Sequence, residues 1–139
     1  MCYTICQSRT PMNLEAIIDY WITSAEEDIT VAQHLLGKAD YTYTLFFGHL
    51  YLEKLLKALV VKVTGNQAPP IHNLRLLTEA AKLSLTKEQK TLLTRIQEYN
   101  VRARYPDFKF KFKKRCTKEF TAKEINQIKG IGKWFREKI

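Results

Sequence analysis

The stretch YTYTLFFGHLYLEKLLKALVVKV, running from Tyr41 to Val63, decides the fold. Phe46, Phe47, Leu50, Leu52, Leu55, Leu56, Leu59, Val60 and Val63 spread over a wide face, so the segment reads as a central helix touched by several neighbours. It is not a membrane span. Its longest uncharged run, Tyr41 to Leu52, holds Gly48, His49 and two threonines, and is well short of the roughly 18 apolar residues a bilayer needs. Thr64-Gly65-Asn66 marks its end, and Pro69-Pro70 forbids continuation.

Working outward, Leu14, Ile17, Ile18, Trp21, Ile22, Ala25, Ile29, Ala32, Leu35 and Leu36 recur at helical spacing, closed by Gly37. Downstream, Asn73 caps a short third helix through Leu74, Leu77, Ala80 and Ala81. Thr86 and Gln89 form a capping box opening a fourth helix through Leu92, Leu93, Ile96, Tyr99 and Ala103, limited by Pro106. Thr121 and Glu124 have the same form and open a last helix through Ile125, Ile128, Phe135 and Ile139. Only Phe108 to Lys113 alternates like a strand, with phenyl groups on one side and lysines on the other if extended. The residues predict an all-α bundle of four to five helices. One domain is expected over 12–139, after a disordered or irregular tail at 1–11.

Composition fits one globular domain: 139 residues, 45% apolar and 27% charged. The formal net charge of +9 favours anionic partners. The excess is local, since Arg102 to Lys118 holds eight bases (Arg102, Arg104, Lys109, Lys111, Lys113, Lys114, Arg115, Lys118) against the single acid Asp107. Arginine's planar fork suits phosphate oxygens, and interleaved aromatic rings offer stacking surfaces. The same rings could equally pin a surface loop or seal a dimer contact. Cys2, Cys6 and Cys116 fit neither a zinc knuckle nor a disulfide framework. Free thiols in a reducing cytoplasm are expected, with no metal and no cofactor.

Glu53 and Lys57 lie four residues apart with His49 one turn earlier, a polar strip on the most apolar helix. Spacing alone makes the pair an ordinary salt bridge contributing roughly 0.2–0.5 kcal/mol. His72 precedes the third helix and reads as structural. No nucleophile–base–acid set, Gly-rich phosphate loop or metal spacing is present. Ile128-Lys129-Gly130-Ile131-Gly132 has the look of a phosphate-gripping hairpin, but Arg136 stands where close helix packing needs a small residue, so a helix with two glycines is expected.

Four pieces in order resemble the HEPN family, the helical "higher eukaryotes and prokaryotes nucleotide-binding" domain. They are Trp21-x3-Ala25-x2-Asp28-x3-Ala32; Phe46-Phe47 followed by Glu53-Lys54-x2-Lys57-Ala58-Leu59; Ile71-His72-Asn73-Leu74-x2-Leu77; and Arg104-Tyr105-Pro106-Asp107. The resemblance runs from Trp21 to the C-terminus. It implies an up-and-down bundle pairing as a symmetric homodimer, with the polar ends of helices two and four facing a shared cleft. Many members are encoded beside a minimal nucleotidyltransferase in a toxin–antitoxin-like pair. Catalytic members are metal-independent RNases marked by an Arg followed after four to six residues by His. Here Arg95, Arg102 and Arg104 have no histidine after them, the last being His72, so the base for a ribose 2′-hydroxyl is missing at that place.

Carried onto this sequence, the helix-two pair falls on Glu53 and Lys57 beside Lys54, the helix-three histidine on His72, and the loop signature on Arg104, Tyr105, Pro106 and Asp107. Asp107 would accept from the loop backbone or pair with Arg104. The expected function is a non-catalytic module binding a nucleotide or RNA through Arg102, Arg104 and Tyr105. Phosphate or partner contacts would come from Lys109, Lys111, Lys113, Lys114 and Arg115. The alternatives are an RNase with an altered site, using His72 or His49 with Arg104, and a pure dimerisation or scaffold module.

Overall fold

The computed structural model describes residues 13–139. The expected tail at 1–11, with Cys2, Cys6 and Met12, lies outside the described residues. Six helices and no strand form among them: α1 Leu14–Gly37, α2 Tyr41–Thr64, α3 Leu74–Ala80, α4 Lys87–Arg102, α5 Pro106–Arg115 and α6 Lys118–Lys138. The three-residue turn 38–40 returns α2 alongside α1, giving the all-α bundle its first antiparallel pair.

Asn13 caps α1 through Ala16 N–H, Asn73 caps α3 through Leu76 N–H, and Thr86 and Gln89 make the full reciprocal box at α4. Gly65 closes α2 in the left-handed conformation at φ 71°. The Thr121–Glu124 pair does not open the last helix. Thr117 does, its side chain accepting from Phe120 N–H. Thr121 lies inside α6 and is buried, as are Glu124 and Ile125 one turn on.

The larger correction concerns Phe108 to Lys113, which is helical rather than extended. Pro106 stops α4 and also opens α5 at a first-turn position, where its missing N–H costs nothing. Asp107 in the first turn and Lys113, Lys114 and Arg115 in the last complement the helix dipole. At 100° per residue the alternation scatters: Phe108 and Phe112 share one side, while Phe110 points away. Phe112 is buried and stacks on Tyr99 with ring centroids 5.3 Å apart. This helix raises the count above the four or five expected.

α2 is the hub, packed against every other helix. It meets α6 closely because both carry glycine at the crossing. A Cβ on Gly48 would stand 2.8 Å from Ile128 Cδ1, and one on Gly132 would stand 2.4 Å from the Tyr51 ring. Gly130 and Gly132 are therefore part of one continuous helix, not a hairpin. Tyr99, Phe112 and Phe135 fill the core with Leu45, Leu52, Leu55 and Leu56.

Candidate functional site

Phe46, His49, Glu53 and Lys57 recur at three- and four-residue steps on α2 and form one stripe. His49, Glu53 and Lys57 are all buried, so this is no solvated surface pair. Glu53 Oε2 lies 3.2 Å from Lys57 Nζ and 3.0 Å from His72 Nδ1. Lys57 Nζ also sits 5.1 Å from the centre of the Trp21 ring on α1. His49 stands one turn before, its Nδ1 3.9 Å from Glu53 Oε1, and burial pushes its pKa below the usual histidine value.

His72 reaches this stripe from the segment before α3. That segment is held by Gln97 on α4, whose Oε1 accepts from Leu74 N–H at 2.7 Å. The His72 side chain is 69% exposed although its Nδ1 is tied to a buried carboxylate. An imidazole fixed at Nδ1 presents Nε2 to solvent in one orientation. Lys54, one residue from Glu53, faces another way and pairs with Asp28 on α1 at 2.7 Å. It does not join the cluster.

The second group gathers where α4 turns into α5. Arg104 Nε donates to Asn100 O at 3.0 Å, and its guanidinium lies 5.6 Å from the rings of both Phe46 and Tyr105. Among the described residues no carboxylate pairs with it, and Asp107 forms no ion pair with Arg104. Arg102 pairs with Glu98 at 3.2 Å across an exposed turn. Phe46 links this corner to the Glu53 cluster, since seven residues of helix span about 10 Å.

The lysines divide. Lys109 Nζ donates to Tyr43 Oη at 2.8 Å and docks α5 on the start of α2. Lys111 and Lys113 are exposed. Lys114 lies 5.0 Å from the Phe110 ring and Arg115 lies 5.1 Å from the Phe120 ring.

A family model for the HEPN domain matches residues 18–138. The chain belongs to the HEPN domain family. No curated protein and no solved structure matches it. No helix of this HEPN domain is long and apolar enough, among the described residues, to cross a membrane.

One further cluster includes none of the predicted site residues. Arg95 donates twice to Glu124, from Nε at 2.6 Å and Nη2 at 3.0 Å, and Nη2 also donates to Gln127 at 2.8 Å. Tyr99 Oη donates to the same carboxylate. Burial opposes the charge on Glu124, but these donors prevail and hold its pKa below the usual value. The cluster borders a groove of about 930 Å³ between α4 and α6, which none of the sequence-predicted site residues lines. With Arg95 and Glu124 satisfying each other, it is a structural clamp. Its members are 29 residues apart, and nothing in the local pattern of either helix announces the pairing.

Proposed function

We propose that this HEPN domain is a non-catalytic module that binds phosphate groups of a nucleotide or RNA at the α4–α5 corner. It acts as a homodimer beside a minimal nucleotidyltransferase, as the family resemblance suggests. The observation that carries the reading is Arg104, bounded by Phe46 and Tyr105 and, among the described residues, hydrogen-bonded only to a backbone carbonyl. The same basic stretch also carries Arg102, Lys111, Lys113 and Lys114. The Arg102–Glu98 pair is exposed and weak, so a phosphate displaces it at little cost. Titration of the full chain with RNA is expected to give affinity that falls steeply with salt. Arg104→Ala should lower the slope of log affinity on log salt by about one. Binding indifferent to salt would overturn the proposal.

A second reading is favoured by the Glu53–His72 pair, which has the form of an oriented general base. In that reading His72 Nε2 takes the proton of a ribose 2′-hydroxyl, whose oxygen attacks the adjacent phosphorus. The P–O5′ bond breaks, and the 5′-oxygen takes a proton from the imidazolium. The products are a 2′,3′-cyclic phosphate and a 5′-hydroxyl. RNA cleavage by the purified chain, lost in His72→Ala, would put this reading first.

A further inference from the structure

We infer that the cleft between α4 and α5 is a subsite for one unpaired nucleobase of RNA, an inference that rests on the phosphate-binding reading above. The cleft has a volume of about 320 Å³ and is lined by Gln97, Glu98, Val101, Arg102 and Phe108. That is the small end of the ~300–1,000 Å³ range of ligand clefts. Its walls are apolar groups left in solvent, Phe108 at 46% and Val101 at 40% exposure.

Phe108 is not needed to hold α5 in place. Phe112, one turn on, is buried against Tyr99, and Lys109 is bonded to Tyr43. A large ring left open beside a cleft, on a helix anchored by other residues, is available to a ligand. The Arg102 guanidinium lies 6.0 Å from the Phe108 ring and 3.2 Å from Glu98. The mouth therefore combines an aromatic face, a cation for the phosphate and a carboxylate.

Those three groups select a chemistry. A base stacks on an exposed ring whatever its sequence, provided it is not already stacked in a duplex. A carboxylate only accepts hydrogen bonds, so Glu98 favours bases whose edge carries an amino group. Cytosine, adenine and guanine carry one. Uracil instead flanks its single ring N–H with two carbonyl oxygens that a carboxylate repels. Gln97, whose Oε1 is engaged by Leu74 N–H, lines the same cleft.

Fluorescence anisotropy of the full chain with short labelled oligocytidine, oligouridine and an RNA duplex, with inorganic tripolyphosphate as competitor, tests this. Oligocytidine should bind several-fold tighter than oligouridine, and both tighter than the duplex. Phe108→Ala should weaken oligocytidine about tenfold and leave tripolyphosphate binding unchanged, while Phe108→Tyr retains affinity. Glu98→Gln should erase the preference for cytidine over uridine. Equal binding of single strand and duplex, or a Phe108→Ala variant that binds oligocytidine like the parent, refutes the subsite and leaves the phosphate reading intact. Failure of RNA and tripolyphosphate alike to bind refutes both.

Discussion

Glu53 Oε2 lies 3.0 Å from His72 Nδ1, across 19 residues of chain. The carboxylate is buried and the imidazole is mostly exposed, while Lys57 holds the same oxygen from inside. One acid thus has one buried partner and one that faces solvent.

Glu53→Gln should be costly, because it leaves the Lys57 ammonium buried without its counter-charge. Chemical denaturation should register a loss of about 3 kcal/mol. Replacing both partners, Glu53→Gln with Lys57→Met, should recover most of it, since an apolar side chain tolerates the site. His72→Ala should cost no more than about 1 kcal/mol, as expected of one hydrogen bond from an exposed side chain. Equal losses for His72→Ala and Glu53→Gln would contradict this division.

The Arg95–Glu124 clamp predicts part of the acid limb. The native Glu124 carboxyl titrates below its ordinary value of 4.5. Its contribution is thus complete above that value and disappears as pH falls through the native pKa. Glu124→Gln should cost about 2 kcal/mol at neutral pH, softened because Arg95 is partly solvated. The variant should also show a flatter stability–pH curve in acid. An acid limb identical to the parent's would remove the linkage.

The α2–α6 crossing predicts a reversal of sign. Gly132→Ala should destabilise the parent by about 1–2 kcal/mol, because the new methyl meets the Tyr51 ring. In a Tyr51→Ala background the same change should stabilise, since alanine's helix propensity exceeds glycine's by about 1 kcal/mol. Thermal melts of the four proteins close this cycle. The same sign in both backgrounds would mean that the ring does not set the limit.

Cys116 should be silent toward thiol reagents. Burial pushes its thiol up to about 12, and the neighbouring Arg115 only partly offsets this. Peptide mapping after alkylation at mildly alkaline pH should find Cys116 unmodified in the native protein and modified in urea. Rapid native labelling would show that the segment between α5 and α6 opens.

Much of the bundle was legible in the residues. Apolar spacing placed α1, α2 and α4, and Asn73 and the Thr86–Gln89 box marked their helix starts, because helix periodicity and capping act within four residues of chain. The error at Phe108–Lys113 came from reading alternation alone. Pro106 at a helix start, acid in the first turn and bases in the last were equally local signals for α5. The error at Thr121 came from two competing caps, of which Thr117 sits in the short link between α5 and α6.

Residues alone thus determined an all-α HEPN domain and a basic corner at Arg102–Lys118. Only the tertiary structure decided which of the marked side chains meet. It buried Glu53 with Lys57, brought His72 onto the same carboxylate, sent Lys54 to Asp28 and spent Lys109 on Tyr43. It also turned Phe112 inward and left Phe108 beside a cleft. The reason is range: His72 with Glu53, Lys54 with Asp28 and Lys109 with Tyr43 join residues 19 to 66 positions apart, and helix periodicity carries no information about what another segment presents.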